Sequence, residues 1–556
     1  MVSVSELSDG FVDEYASCDP NLAALMLGVG RSGSTLTDYS PDGMVDAVDV
    51  LRRALVGIES ASVDGEAERL GAGWMKDWVS GRLGMFESGE RQRFLSAEIG
   101  PPAVTRSVFD LMPRDSDDEW EMVADRLEAV PTAMEGYAAS LKAGLSHDRA
   151  SSARLVAAVA EQCRAWAGDG SGGWFSGYVQ GYEGDVLVDR LTTAGSGADE
   201  AYGWLASWLE REYGPYATDI DGVGEERYRV WMETNLGVDD LDLDETYEWG
   251  WEELGRLEDE KAGECDRIIP GASFEAVQQR LNEDPAYSIE GAEARRNWLQ
   301  DVVDEAIEAL NGTEFEIPSS LLRCEVAIPP EGSSAAPYYT GPAEDLSTPG
   351  RVWFPTMGAT RFPRWGDVTT AYHEAVPGHH LQVGLTMTMP LTRFHRLGFN
   401  SAHGEGWALY AERLMDELGW FDTPDIRLGF LSAQAFRAAR VVVDIGLHTG
   451  RRIPDGWPNA GEAWTFELAV EHLVRASGES RATMESEALR YLSWPAQATT
   501  YKLGERDWLD ARQQAIASAG VGFDRMAWHA TALSLGPMGL NRFSEELSLD
   551  PPMGAG

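Results

Sequence analysis

The chain has 556 residues, of which 43% are hydrophobic and 10% aromatic, so it can bury a large core and is not a disordered protein. Its 92 Asp and Glu residues against 45 Lys and Arg give a formal net charge of -47, and no basic stripe is present that would neutralise nucleic-acid phosphates. The lack of an apolar run of roughly 20 residues argues against a membrane-spanning helix.

The acidic residues are spread along the whole chain and do not form a tail. Such a surface repels itself in dilute salt and is screened in molar salt, where the Debye length falls to about 3 Å. This composition predicts a halophilic protein from a cell with a salty interior, such as a halophilic archaeon. The N-terminal segment has no basic or apolar run and the four cysteines lie far apart, so we expect a cytoplasmic protein.

Most of the chain carries apolar residues at helical spacing, every third or fourth position. The predicted helices run from Met44 to Glu59, Trp120 to Ala143, Arg149 to Trp166, Ala198 to Tyr213, Leu243 to Cys265 and Ala292 to Leu310. Glycine-rich segments at 168–173 and 195–197 are predicted to separate helices. We therefore expect a mainly α-helical fold, and the length indicates more than one core.

The strongest strand patterns lie between Leu321 and Pro355. Residues 324–328 alternate in polarity, and residues 351–354 follow a Pro-Gly turn. These patterns predict a small β-sheet directly before the histidine-rich segment. They also suggest a helical lobe over 1–316 and a second lobe over 317–556, with a single integrated unit as the alternative.

Six of the nine histidines lie between His373 and His448, and three of them stand in the segment H-E-A-V-P-G-H-H that begins at His373. Histidine is the commonest metal ligand, and zinc hydrolases use a His-Glu pair to place a ligand beside the general base. We therefore predict one zinc ion per chain, bound by His373, with Glu374 as the general base. The alternative is a helix that ends at Val376, followed by a turn with two surface histidines.

The second histidine ligand is not four residues after the first, because Pro377 stands at that position. On an ideal helix His380 would lie about 10.5 Å further along the axis than His373, too far for one ion. Pro377 and Gly378 can compress or bulge the segment and so restore the spacing. We predict His379 as the second ligand and His380 as the alternate.

A catalytic zinc ion takes three protein ligands and leaves one position for water. Glu405 is the candidate third ligand, because it lies between two glycines that let the backbone approach the ion, at the start of a predicted helix. Glu412 and His403 are alternative ligands, or groups that hold a ligand imidazole in the correct tautomer. The alternative for both glutamates is that they are ordinary solvated acids.

An apolar and basic segment precedes His448. Arg440 and His448 in this segment are candidates for binding a substrate carboxylate, because a guanidinium group matches a carboxylate bidentately. The alternative is an ion pair between Arg440 and Asp444, one helical turn apart.

The string H-E-A-V-P-G-H-H-L-Q at 373–382, followed by E-G-W-A-L-Y-A-E at 405–412, resembles the signature of the domain-of-unknown-function 885 family. Members of this family resemble H-E-x-x-H zinc metallopeptidases with a glutamate as third ligand. Two further segments agree with it, the Tyr-Tyr and Pro-Gly pairs at 338–339 and 349–350, and W-P-A-Q-A-T-T-Y-K-L-G at 494–504. In the last segment Ala496 replaces the usual Gly.

The resemblance covers most of the chain and implies a two-lobed, zincin-like metallopeptidase fold with a central cleft. It implies that Tyr501 donates a hydrogen bond to the reaction's oxyanion, whereas a core tyrosine packed on Trp494 is the alternative. Tyr339 becomes a candidate for substrate binding. We expect a zinc-dependent hydrolase of short peptides, with a non-peptidase amidohydrolase or a non-catalytic metal-binding protein as alternatives.

Overall fold

The computed structural model describes residues 2–31, 33–168, 170, 172–329, 336–343 and 346–549. As predicted, the chain is mainly helical. Its first helices are α1 (Val4–Cys18), α2 (Pro20–Leu22), α3 (Pro41–Ser60), α4 (Gly65–Glu87), α5 (Pro101–Ser107), α6 (Asp117–Leu145), α7 (Ala153–Ala167), α8 (Trp174–Val179), α9 (Val188–Trp208) and α10 (Glu225–Leu236). They are followed by α11 (Leu243–Ile268), α12 (Phe274–Glu283), α13 (Ala292–Leu310), α14 (Asp367–Glu374), α15 (His379–Thr388), α16 (Arg393–Leu397), α17 (Ser401–Glu417), α18 (Pro424–Thr449), α19 (Phe466–Ser477), α20 (Arg481–Ser493), α21 (Thr500–Ala519), α22 (Arg525–Ser534) and α23 (Leu540–Leu549).

The small β-sheet is present where the alternating pattern predicted it. The strands are β1 (Ser288–Glu290), β2 (Cys324–Ala327), β3 (Tyr338–Thr340), β4 (Gly350–Trp353) and β5 (Arg361–Pro363). Strand β4 is central, with β2 parallel on one side and β3 antiparallel on the other, while β1 and β5 form a separate antiparallel pair. Strands β2 and β4 are the two that the sequence predicted.

All six predicted helices are present, but α9 starts earlier than expected. It begins at Val188 instead of Ala198 and runs through the glycine-rich segment 195–197, where a break was predicted. The reason is packing against α8: a Cβ atom at Gly195 would lie 3.2 Å from the carbonyl oxygen of Phe175. Here glycine permits close helix packing and does not end the helix.

The chain divides into two compact units that interleave along the sequence. The first comprises residues up to Thr234 together with Thr392–Gly398 and Ser486–Pro495, and the second comprises Asn235–Leu391, Phe399–Glu485 and the chain from Ala496 onward. The boundary predicted near residue 316 lies within the second unit. No helix in the described part of the chain is long and apolar enough to cross a lipid bilayer.

Helix α18 is the central helix of the second unit. It is buried over most of its length, which matches its nearly continuous apolar sequence. Helices α11 and α19 pack along it, and α14 contacts it as well. Helix α17 packs against α14 and, most extensively, against α21. This arrangement brings the predicted zinc-binding segments together.

Candidate metal centre

The histidine-rich segment is two helices joined by a short turn. His373 lies in the last turn of α14, which ends at Glu374, and α15 begins at His379. Between them the chain passes through the cis Val376–Pro377 peptide bond and Gly378. A Cβ atom at Gly378 would lie 1.9 Å from the carbonyl oxygen of His373, so no other residue fits there. The predicted interruption is present, and His379 is buried, unlike the surface histidine of the alternative interpretation.

Three side chains converge on one point in the second unit. The Nε2 atoms of His373 and His379 lie 3.3 and 3.5 Å from the same Oε2 atom of Glu405. One ligand atom from each of the three lies within 4.8 Å of the others. Ligands at the usual zinc bond lengths in a tetrahedral site are about 3.3 Å from one another. The two measured distances match that separation, so the residues fit a zinc ion.

Glu412 lies behind His373 and fixes its orientation. The Nδ1 atom of His373 donates a hydrogen bond to Oε1 of Glu412 at 2.7 Å, and the hydroxyl group of Thr369 donates to Oε2 at 2.6 Å. With one proton on Nδ1, Nε2 is the ring atom that faces Glu405, and a metal ion would bind there in place of the second proton. Of the two roles predicted for Glu412, the structure places it in the supporting one.

The electrostatics of the centre keep its carboxylates ionised. Burial lowers the pKa of His373, but hydrogen bonds to Glu405 and Glu412 outweigh it and raise the pKa to about 9. Burial raises the pKa of Glu405, yet His373 and His379 hold it well below its usual range. Burial also raises the pKa of Glu412, and the charge of Arg437, followed by His373, brings it below its usual value. Two ionised carboxylates favour a divalent cation.

A direct contact between helices α17 and α21 positions Glu405. A Cβ atom at Gly406 would lie 2.4 Å from the Cα atom of Gly504, and one at Gly504 would lie 2.0 Å from the carbonyl oxygen of Ala402. The helices therefore meet backbone to backbone beside Glu405. The sequence had suggested that the glycine lets the backbone approach an ion, whereas the structure shows that it lets a second helix approach.

His380, the alternate ligand, faces away from the centre and is bonded to Tyr339. Its Nε2 atom donates to the carbonyl oxygen of Leu321 at 3.0 Å, so its Nδ1 atom accepts from the Tyr339 hydroxyl group, also at 3.0 Å. Burial lowers the pKa of His380 and raises that of Tyr339 well above its usual value, which keeps both neutral. The pair ties β3 to α15, and the hydroxyl group predicted to bind substrate is engaged in this bond.

His403, the other alternative ligand, belongs to the core. The side-chain amide of Gln382 donates to its Nδ1 atom at 3.1 Å, and its ring packs against Trp508 and Phe543. Its imidazole is therefore not one of the two that converge with Glu405.

Glu374, the predicted general base, is half-buried at the end of α14, next to His373 in the chain. Its charge is among those that raise the pKa of His373. The carboxylate is therefore close enough to the centre to act on it electrostatically.

Tyr501 lies in the first turn of α21, three residues before Gly504 and hence one turn from the contact with α17. The guanidinium group of Arg440 lies over its ring at 4.7 Å and over the ring of Phe436 at 4.3 Å. Cation–π contacts of this kind hold Arg440 and Tyr501 together. The structure thus joins two predicted site residues that are far apart in the sequence.

His448, the third predicted substrate-binding residue, is buried near Asp444. Its Nε2 atom lies 3.8 Å from Oδ1 of Asp444, whose Oδ2 atom accepts a hydrogen bond from the Ala496 N–H at 2.9 Å. Ala496 has a φ angle of 64°, in the left-handed region that favours glycine. Glycine, which the resembled family pattern carries at this position, adopts that conformation without strain.

Three residues on the helices that form the site or its surroundings were not singled out from the sequence: Thr369, Gln382 and Arg437. Thr369 precedes His373 by four residues, so a hydroxyl group one turn from a ligand was a usable signal. Gln382 and Arg437 gave no signal, because their roles depend on which helices pack together.

Comparisons with known proteins agree with this fold. A family model with the description "Bacterial protein of unknown function (DUF885)" matches residues 22–547. No curated protein matches the chain. The structure of a predicted lipoprotein from Colwellia psychrerythraea is similar, with a TM-score of 0.81, 22% identity and 99% of each chain covered. A predicted lipoprotein of unknown function from Shewanella oneidensis gives a TM-score of 0.76 and 18% identity, covering 99% of this chain and 100% of its own.

Proposed function

The chain belongs to the DUF885 family, and since the family description gives no function, we propose one from the site: a zinc-dependent hydrolase of amide bonds that acts on short peptides. The convergence of His373, His379 and Glu405 carries this proposal. We further propose that the second unit is the zincin-like catalytic part of the molecule.

The donor set supports zinc over other metals. Two imidazole nitrogens and one carboxylate oxygen suit zinc, whereas calcium and magnesium prefer sites made only of oxygen ligands. Glu412 supplies the outer hydrogen bond that usually accompanies a histidine ligand. A bound zinc ion would polarise the scissile carbonyl group and lower the pKa of water.

Glu374 is proposed to take a proton from the attacking water and to pass it to the leaving amine. It follows His373 directly, so its side chain leaves the helix in a different direction while staying near the same point. A purely structural metal site has no use for such a base, and this distinguishes the proposal from a non-catalytic metal-binding protein.

Tyr501 is proposed to donate a hydrogen bond to the oxyanion that forms when water adds to the carbonyl group. Two observations support this role. The contact between Gly406 and Gly504 brings the first turn of α21 close to the turn that carries Glu405. Arg440 holds the Tyr501 ring by a cation–π contact.

The proposal is tested by measuring zinc content and peptide hydrolysis together, in high salt, on the wild type and on Glu374→Gln. The variant should keep zinc, and its turnover rate should fall by a factor of about 10² to 10⁴, because glutamine cannot accept the proton from water. Glu308→Gln, an exposed position on α13, serves as the control. Turnover of Glu374→Gln within a few-fold of wild type would show that Glu374 is not the base, and loss of zinc would show that it is a ligand.

Two further expectations are proposals of the same kind. The net charge of -47 supports a halophilic protein. We also propose a cytoplasmic location, and because the two similar structures are predicted lipoproteins, cell fractionation with an antibody is the appropriate test. Recovery of the protein in the membrane fraction would contradict this location.

A further inference from the structure

An arginine beside the candidate metal centre has a buried hydrogen-bond donor that the described residues leave unused. Arg437 lies on α18, which contacts the helix that carries His373. Its Nε atom is buried and has no hydrogen-bond partner in the described part of the chain. Leaving such a donor unpaired costs about 1 to 3 kcal/mol, and more when the group is charged, so this donor favours the binding of a hydrogen-bond acceptor.

The position of Arg437 beside the centre follows from helix packing, because α18 contacts both α14 and α17, the helices that carry His373 and Glu412. The positive charge of Arg437 is the strongest charge–charge influence on Glu412, the residue that holds His373. Both carboxylate oxygens of Glu412 already accept hydrogen bonds, from His373 and Thr369. Glu412 therefore keeps Arg437 near the centre by charge, while the buried Nε donor is left for another group.

The acceptor that best suits Arg437 is an anion with two oxygens. A guanidinium group presents parallel N–H donors that match a carboxylate bidentately. Arg440 lies one turn further along the same helix, in contact with the ring of Tyr501. A carboxylate bound at Arg437 would thus lie about one helical turn from the arginine that contacts Tyr501, in a chain that otherwise repels anions.

We propose that Arg437 binds the free C-terminal carboxylate of the peptide substrate, so that the centre hydrolyses a peptide bond close to that end. This inference rests on the proposed function. The reaction is ordinary hydrolysis: water adds to the carbonyl carbon, the C–N bond breaks, the oxygen stays in the new carboxyl group and the proton goes to the leaving amine. Arg437 orients the substrate through a group that does not react.

The experiment compares peptides of one sequence that end in a free carboxylate or in an amide. The proteins are the wild type, Arg437→Gln, Arg437→Lys and the control Arg481→Gln, which removes an exposed arginine of the second unit. For Arg437→Gln, kcat/KM on the free acid should fall roughly 10- to 150-fold, the usual value of hydrogen bonds to a charged group. Activity on the amide should change by less than about threefold, and Arg437→Lys should recover part of the loss.

A third peptide separates the two sources of a carboxylate. It is amidated at the C-terminus and carries a glutamate as its last residue, so that only a side-chain carboxylate is available. If Arg437→Gln lowers hydrolysis of this peptide and spares the simple free acid, Arg437 recognises an acidic side chain and the C-terminal assignment is wrong. Equal losses on the acid and the amide, or reduced zinc content, would instead make Arg437 a support for Glu412.

Calorimetry on metal-free protein provides a readout that does not need catalysis. A dipeptide free acid should bind more tightly than its amide, and Arg437→Gln should remove that difference while Arg481→Gln keeps it. If the wild type hydrolyses no peptide but shows this preference, the proposed reaction fails and the carboxylate site stands. If it hydrolyses peptides without preferring the free acid in either assay, the carboxylate site fails and the hydrolase stands.

Discussion

Replacing Glu412 with glutamine should weaken zinc binding about 10- to 100-fold, or roughly 1.4 to 2.8 kcal/mol. The wild-type carboxylate accepts two short hydrogen bonds, at 2.7 Å from His373 and 2.6 Å from Thr369. Glutamine keeps the shape but has one accepting oxygen and no charge. It can hold the His373 Nδ1 proton only weakly, so a larger share of the neutral rings should carry the proton on Nε2, the nitrogen that would bind the ion.

The affinity is measured by competition with a chromogenic chelator at neutral pH and constant high salt. Thr369→Val removes one of the two bonds and should cost less than Glu412→Gln. Glu417→Gln is the matched control, because this residue lies on the same helix but pairs with Arg512 at 2.6 Å, away from the centre. A zinc affinity of Glu412→Gln within about threefold of wild type, with an unchanged fold, would refute the supporting role of Glu412.

Three other outcomes follow from the structure. His379→Ala should lose zinc, whereas His380→Ala should keep it. His380→Ala should also lose about 1 to 3 kcal/mol in the free energy of unfolding, because the Tyr339 hydroxyl group is left unpaired. Metal analysis measures the zinc content, and denaturant unfolding measures the stability. The unfolding temperature should rise from dilute to molar potassium chloride, and a flat curve would contradict the halophilic interpretation. Burial, assisted by the charge of Arg475, lowers the pKa of His472 from 6.5 to about 4, so the unfolded chain takes up the proton at a higher pH than the folded protein does. The free energy of unfolding should therefore fall by roughly 3 kcal/mol as the pH drops from 6.5 to 4. The decrease should be smaller in His472→Phe.

The grouping of His373, His379 and Glu405 could largely be predicted, because its signals are local in the sequence. His373 and Glu374 are adjacent, and Pro377 with Gly378 could be recognised as the cause of the changed spacing. Glu405 could be proposed because a third ligand was required and few carboxylates have glycine on both sides. Hydrophobic periodicity likewise predicted the principal helices, because the spacing of apolar residues in a helix depends only on which of its own faces is buried.

Other features depend on contacts between segments that are distant in the sequence, so no local sequence pattern predicts them. Tyr339 was expected to bind substrate, but its hydroxyl group is engaged by His380, 41 residues away. The segments Thr392–Gly398 and Ser486–Pro495 pack with the first unit although they lie in the second half of the chain. Arg437 and Arg440 look equivalent in the sequence, and only the packing of α18 separates their surroundings.

The backbone contact between Gly406 and Gly504 determines how the protein should respond to removal of the proposed zinc ion. In a zinc finger the ion provides most of the free energy of folding, and chelation unfolds the domain. Here two helices of 17 and 20 residues hold Glu405 through a contact made of main-chain atoms. The placement of Glu405 should therefore be completed during folding and should not depend on an ion. The metal-free protein should remain a folded receptor that takes up zinc without the entropic cost of ordering a loop.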